Sequence, residues 1–230
     1  IFEATIPLSV TFIMSQFAEL IFLQPSPKLT YPELPLKRVT MTSERFQEWR
    51  RAIADELVAA YTHYHIWEQL WPSEESVKLL NQYRVFFHYT AAAHVQLFLL
   101  RISKITEDRR DSVNFWRLLD EIEKVPGLVP GLSKSKMKGL RQQLQAQSDL
   151  LRRIRTHRDK RIAHVDSRHS WPDENLWQDK AVTVGEAKVL LEKLENIFNT
   201  ISSAHDGQIW SVRTVGVDDA GRLLRALLNH

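Results

Sequence analysis

The stretch Ser43–Trp71, SERFQEWRRAIADELVAAYTHYHIWEQLW, places Phe46, Trp49, Ile53, Leu57, Ala60, Tyr64, Trp67 and Trp71 at steps of 3, 4, 4, 3, 4, 3 and 4 residues. That spacing is an apolar seam along one face of a long α-helix. Ser43 is placed to cap its start, and Pro72 stops it. A second helix is expected from Ser73-Glu74-Glu75, whose acidic first turn suits the helix dipole. It should run to about Ile105 through Leu79, Tyr83, Phe86, Phe87, Ala91, His94 and Phe98. Being apolar around much of its circumference, it reads as the central, most buried helix.

Further along, Glu107-Asp108-Arg109-Arg110-Asp111 reads as a charged break. Ser112 then caps a shorter helix carrying Phe115, Leu118, Leu119 and Ile122. Pro126-Gly127 and Pro130-Gly131 mark a loop. A long basic helix follows, from about Ser135 to Ser167, and an irregular loop from His169 to Ala181. Thr183-Val184-Gly185-Glu186 is a capping box opening a helix through Leu190, Leu194, Ile197, Phe198 and Ile201. After a turn at Asp206-Gly207, Ile209 to Val215 alternates weakly, as an extended segment would. A small helix closes the chain over about Asp218 to Leu228. The expected fold is all-α: an up-and-down bundle of long antiparallel helices around one core, with a short C-terminal helix.

Composition agrees. Of 230 residues, 43% are apolar, 26% are charged and only 7 are glycine, which is ordinary globular usage tilted towards helix. The net charge of +3 is too mild to assign a polyanion partner, but its distribution is uneven. Between Ser133 and Arg168 many lysines and arginines face only Asp149, Asp159 and Asp166. The chain has no cysteine, which excludes disulfide and thiol chemistry.

Residues 1–40 differ from the rest. Ile6 to Leu23 is largely apolar, interrupted by Ser9, Ser15, Gln16 and Glu19, and a proline-rich piece runs from Pro25 to Pro35. A signal or membrane anchor fits poorly, because no basic region precedes the apolar run and Glu19 lies inside it. The preferred expectation is that Met41 starts the protein and that 1–40 is over-extended translation. Residues 41–230 then form a single cytoplasmic domain without membrane attachment. A membrane-tethered protein is the reading if 1–40 is genuine.

Nine histidines invite a metal, but no HExxH occurs, no cysteine is available, and carboxylates are not interleaved at ligand spacing. His63 and His65 point to different sides of a helix, and His88 and His94 sit among aromatics. No metal and no cofactor are expected. No serine nucleophile sits in an elbow motif. Trp49, Trp67, Trp71 and Trp116, at helical spacing, are expected in the core. Trp171 and Trp177 are open to base stacking.

One motif stands apart: Arg158-Asp159-Lys160-Arg161-Ile162-Ala163-His164. The basic helix carries an apolar stripe of Leu140, Leu144, Leu151, Ile154, Ile162 and Val165. Arg158 falls on it, four residues from both Ile154 and Ile162. A guanidinium there is costly unless it is paired with an acid or solvated by a cleft.

An arginine, a polar residue and a histidine after a short gap, late in an all-α domain, resemble the HEPN superfamily of small helical nucleases. Within it the chain looks like the AbiU-type branch linked to abortive phage infection. The resemblance covers roughly Met41 to Leu228 and includes the turn Ile102-Ser103-Lys104-Ile105-Thr106-Glu107-Asp108 and the Leu118-Leu119 helix. It implies a metal-independent endoribonuclease of toxin or antiviral type, in which the RNA 2′-hydroxyl attacks the neighbouring phosphate. His164 has the intrinsic pKa to move a proton near neutrality. Arg158 suits the charge that builds on the phosphate oxygens. Asp159 stands to orient either residue or to polarise the histidine. Lys160 and Arg161 are candidates for holding the RNA backbone without reading sequence. A non-catalytic HEPN domain, binding RNA or protein, is the alternative.

At about 100° per residue, Arg158 and His164 stand roughly 120° apart on a regular helix. They converge only if the helix distorts, or if two copies bring their motifs to a shared cleft. A homodimer, which the resemblance also implies, is therefore expected. An antitoxin protein is a further expected partner that no residue identifies.

Overall fold

The computed structural model describes residues 41–70, 74–109, 111–159, 182–212 and 218–228. They form eight helices and, among the described residues, no strand: α1 (Ser43–Gln69), α2 (Glu74–Gln82), α3 (Arg84–Thr106), α4 (Phe115–Lys124), α5 (Lys134–Gln145), α6 (Ser148–His157), α7 (Val184–Asp206) and α8 (Asp219–Leu228). The expected all-α bundle is the observed class. Residues 1–40 lie outside the described residues, as do Trp71 and Pro72.

The seam of α1 is buried as its spacing requires, with Phe46, Ile53, Leu57, Ala60 and Tyr64 essentially inaccessible and Trp49 and Trp67 nearly so. It faces α3 on one side and α7 on the other. Polar pairs along both contacts show the directions. As α1 advances from Glu56 to His63, its partners on α3 fall from Arg101 to His94. As α1 advances from Gln47 to Tyr61, its partners on α7 fall from His205 to Glu195. Both neighbours are therefore antiparallel to α1. Phe98, Ile102 and Ile105 of α3 and Leu190, Leu194, Ile197, Phe198 and Ile201 of α7 complete the core, joined by Phe115, Leu118 and Leu119 of α4. Burying such a side chain stabilises the fold by roughly 1.5–3 kcal/mol, which lets one seam decide the arrangement of three helices.

Caps were largely legible. Thr183 and Glu186 form the capping box of α7, and Gly207 ends that helix with φ 76°, a conformation glycine adopts without strain. Two caps differ from expectation by one or two residues. Thr42 caps α1 in place of Ser43. Asn114 caps α4 in place of Ser112, which instead accepts from the Asn114 amide.

The expected helix from Ser73 to Ile105 is two helices parted at Tyr83. Its first half is also not central. Val85 is 68% and Phe86 61% exposed, with Val77, Tyr83 and Tyr89 also open. Leu79 and Phe87 leave the main core and form a small cluster with Leu70 and Leu224. Helix α3 is long and apolar enough to cross a membrane by length and composition alone. Phe98, Leu99, Ile102 and Ile105 of its C-terminal half are buried in the bundle.

The expected basic helix is interrupted as well. It breaks at Ala146-Gln147 into α5 and α6, which shifts the register. Leu140, Leu144 and Ile154 are buried, but Leu150 takes the core place expected for Leu151.

Candidate active site

Helix α6 delivers Arg158. The helix ends at His157, and at Arg158-Asp159 the backbone widens into a π-type turn, a local distortion often found at functional positions. The expected 120° separation of Arg158 and His164 falls on residues outside the described ones. Lys160, Arg161 and His164, with Trp171 and Trp177, lie outside the described residues.

Packing of α6 against the end of α3 brings Arg158 onto Glu107. Glu107 sits just past α3, where its backbone N–H donates to the Ser103 carbonyl at 3.0 Å and ends the helix. Its own carbonyl accepts from the Arg109 N–H at 2.9 Å. Tethered at both backbone groups, Glu107 is buried, its side chain 8% exposed. Its Oε1 is enclosed and lies against Nη1 of Arg158, with Nε of Arg155 at 3.5 Å. The contact is an ion pair, and attraction between the two charges is its physical content.

The other edge of the Arg158 guanidinium is taken by Asp159. A single carboxylate oxygen, Oδ1, accepts from Nε at 2.9 Å and from Nη2 at 2.5 Å. Burial works against the charge on Arg158, whose side chain is 18% exposed, but Glu107 and then Asp159 outweigh it and push its pKa up. The guanidinium is charged at any working pH.

Arg109 completes the group. It is exposed and forked onto Asp111 at 3.2 and 3.1 Å, the first cause of its raised pKa. It also lies near enough to Glu107 and Arg158 for both to act on its charge. Two guanidinium groups, of Arg155 and Arg158, thus meet at one buried carboxylate, with Arg109 paired to Asp111 nearby.

The sequence had marked Arg158 as needing an acid or a cleft, and Glu107 is that acid. The sequence places Glu107 in a charged break and gives it no partner. The residue type was the only signal, since an acid that ends an apolar helix is ordinarily exposed. Asp159, expected to orient Arg158 or His164 or to polarise the histidine, lies on the Arg158 guanidinium, and His164 is outside the described residues.

Elsewhere, His63 and His94 bring their Nδ1 atoms within 2.9 Å across α1 and α3. One ring must donate and the other accept. Among the described residues no group of three or more metal-binding side chains converges.

A family model described as AbiU2, of the HEPN type, matches residues 43–224, from the start of α1 into α8. No curated protein and no solved structure matches the chain.

Proposed function

The chain belongs to the AbiU2 family of HEPN domains, an abortive-infection family, and from that membership we propose that it is a metal-independent endoribonuclease of toxin or antiviral type. The observation that carries the reading is the charged, largely buried guanidinium of Arg158, beside Arg155 at the Glu107 carboxylate and followed in sequence by His164.

In this reading the RNA 2′-oxygen forms a bond to the adjacent phosphorus as the bond to the 5′-oxygen breaks. The products are a cyclic phosphate and a 5′-hydroxyl. His164 takes the proton from the 2′-hydroxyl or returns one to the departing oxygen. Arg158 neutralises charge on the non-bridging oxygens, which grows in the transition state and so lowers the barrier. Lys160 and Arg161 hold the RNA backbone. The proposal includes a cytoplasmic homodimer that pools two motifs, and an antitoxin protein that restrains it.

One observation favours a second reading. Nε and both terminal nitrogens of Arg158 are engaged by carboxylates, as in a purely structural ion pair. A non-catalytic HEPN domain that binds RNA or protein accommodates this directly.

Cleavage of total RNA, transfer RNA and phage transcripts by the full chain, with EDTA present, decides between them. The nuclease reading expects cleavage that is lost in folded His164→Ala and Arg158→Ala. Absence of cleavage on every substrate favours the second reading. Cleavage that survives both substitutions overturns the assignment of the motif.

A further inference from the structure

The two carboxylates on Arg158 are not equivalent. Glu107 is 8% exposed at its side chain and held by its backbone at the end of α3. Asp159 is 48% exposed and belongs to the widened turn itself. Withdrawing Glu107 would leave a largely buried guanidinium without its enclosed counter-ion, which is expensive. Withdrawing Asp159 moves a carboxylate that is already 48% exposed into water and leaves Arg158 still paired with Glu107. The fork that Asp159 fills, Nε and Nη2 of one guanidinium, is the pair of donors that arginine presents to phosphate oxygens.

We propose that Glu107 is a positioning residue that aims Arg158 and Arg155 into a seat for one phosphate group, and that Asp159 fills this seat in the free protein as a stand-in for the phosphate. Phosphate enters by exchange. Its oxygens replace Oδ1 of Asp159 on Nε and Nη2, while Nη1 stays on Glu107. With Asp159 displaced, the Arg155 and Arg158 guanidinium groups share, among the described residues, the single carboxylate of Glu107, and the seat is positive. The proposal rests on the reading of Arg158 as the phosphate-binding residue, though the seat itself requires only an anion. It also removes the objection that Arg158 is already occupied.

The test is binding of a short single-stranded RNA, 2′-O-methylated so that it cannot be cut, to the full chain by fluorescence anisotropy, with inorganic phosphate as competitor. Phosphate should displace the RNA from wild type. Asp159→Asn, which removes the internal competitor, should bind both ligands about threefold tighter. Glu107→Gln should lose about tenfold in affinity, and Glu107→Asp should recover most of it. Arg158→Ala should bind weakest. An Asp159→Asn variant as weak as Arg158→Ala overturns the stand-in role, and a folded Glu107→Gln variant with wild-type affinity overturns the positioning role.

Should Glu107→Gln fail to fold, the wild type itself supplies the decision. The NMR signal of the Arg158 Nε–H, identified by its loss in Arg158→Ala, should move as phosphate is added, and a signal that stays put overturns the seat. The two readings fail separately. A protein that binds as expected but cuts no RNA retires the nuclease and leaves the seat. A protein that cuts RNA with affinities indifferent to Glu107 and Asp159 retires the seat and leaves the nuclease.

Discussion

Arg50, near the start of α1, and Asp206, the last residue of α7, stand 2.5 Å apart, and the arginine is completely buried. Arg50 also donates to Gln47 at 2.6 Å and lies over the rings of Phe46 and Trp210. The pair locks α1 to α7 at one end of the bundle, with the His205 ring on Gln47 and on the Leu128 carbonyl beside it. Removing the acid strands a buried charge, so Asp206→Ala is expected to cost about 2–4 kcal/mol, near the low end for a buried pair because Asp206 keeps some contact with water. Thermal unfolding should show a fall of roughly 6–12 °C, and an unchanged midpoint would remove the lock.

The same pair makes an acid-side prediction. The Arg50 hydrogen bond holds the Asp206 carboxyl below the usual carboxylate range. A depressed folded-state pKa gives stability that is present above the unfolded value, near 3.9, and lost as pH falls through the folded one. Unfolding midpoints followed downward from pH 5 should fall more steeply for wild type than for Asp206→Asn, and parallel curves would contradict the linkage.

His63 and His94 titrate in the opposite part of the scale. Burial first, then the neighbouring His94 and Arg101, holds His63 below the ordinary value of 6.5, and burial holds His94 below it too. Arg101, which faces them, is itself paired with Glu56. Both imidazoles prefer to be neutral in the fold, so their contribution is intact above about pH 6.5 and is lost as pH drops below it. Replacing His94 by Asn should flatten the stability profile between about pH 7 and 5. A profile as steep as wild type would show that the pair does not control it.

Two glycines should respond in opposite directions to alanine. A Cβ at Gly131 would sit 2.7 Å from the Ala204 carbonyl oxygen, the same oxygen that accepts the Gly131 N–H at 3.0 Å. Gly131→Ala should therefore destabilise by about 1–3 kcal/mol. Gly139 lies inside α5 with open space around a built Cβ, so Gly139→Ala should stabilise by roughly 0.5–1 kcal/mol. Chemical denaturation of the two variants reads both signs at once.

At the start of α7, the Thr183 hydroxyl accepts from the Glu186 N–H at 3.2 Å, and the Glu186 carboxylate returns to the Thr183 N–H at 2.9 Å. Glu186 also pairs with Arg153 of α6. Thr183→Ala should cost about 1 kcal/mol. Glu186→Ala should cost more, because it removes half of the cap and the link to the helix that carries Arg158. Equal losses in denaturant melts would show that Arg153 adds nothing.

Local chemistry explains why so much of the helical plan could be read from residues alone. The α1 seam, the Thr183 capping box and the Gly207 terminus each depend on residues within a few positions, so their signals survive in one dimension. The breaks at Tyr83 and Ala146-Gln147 have no proline or glycine to announce them. Near Tyr83 the chain divides because Leu79 and Phe87 join Leu70 and Leu224, while Phe98 and Ile102 join the main core. That choice is made by surfaces distant in sequence.

Sequence alone determined the helical class, the seam of α1 and the charge that Arg158 must bring beside Ile154. Tertiary structure decided which acid answers that charge, because only the packing of α6 on the end of α3 encloses Glu107 and sets it against Arg158. Periodicity records which face of a helix avoids water. It does not record which other helix covers that face, and the partner of a buried charge follows from the covering helix.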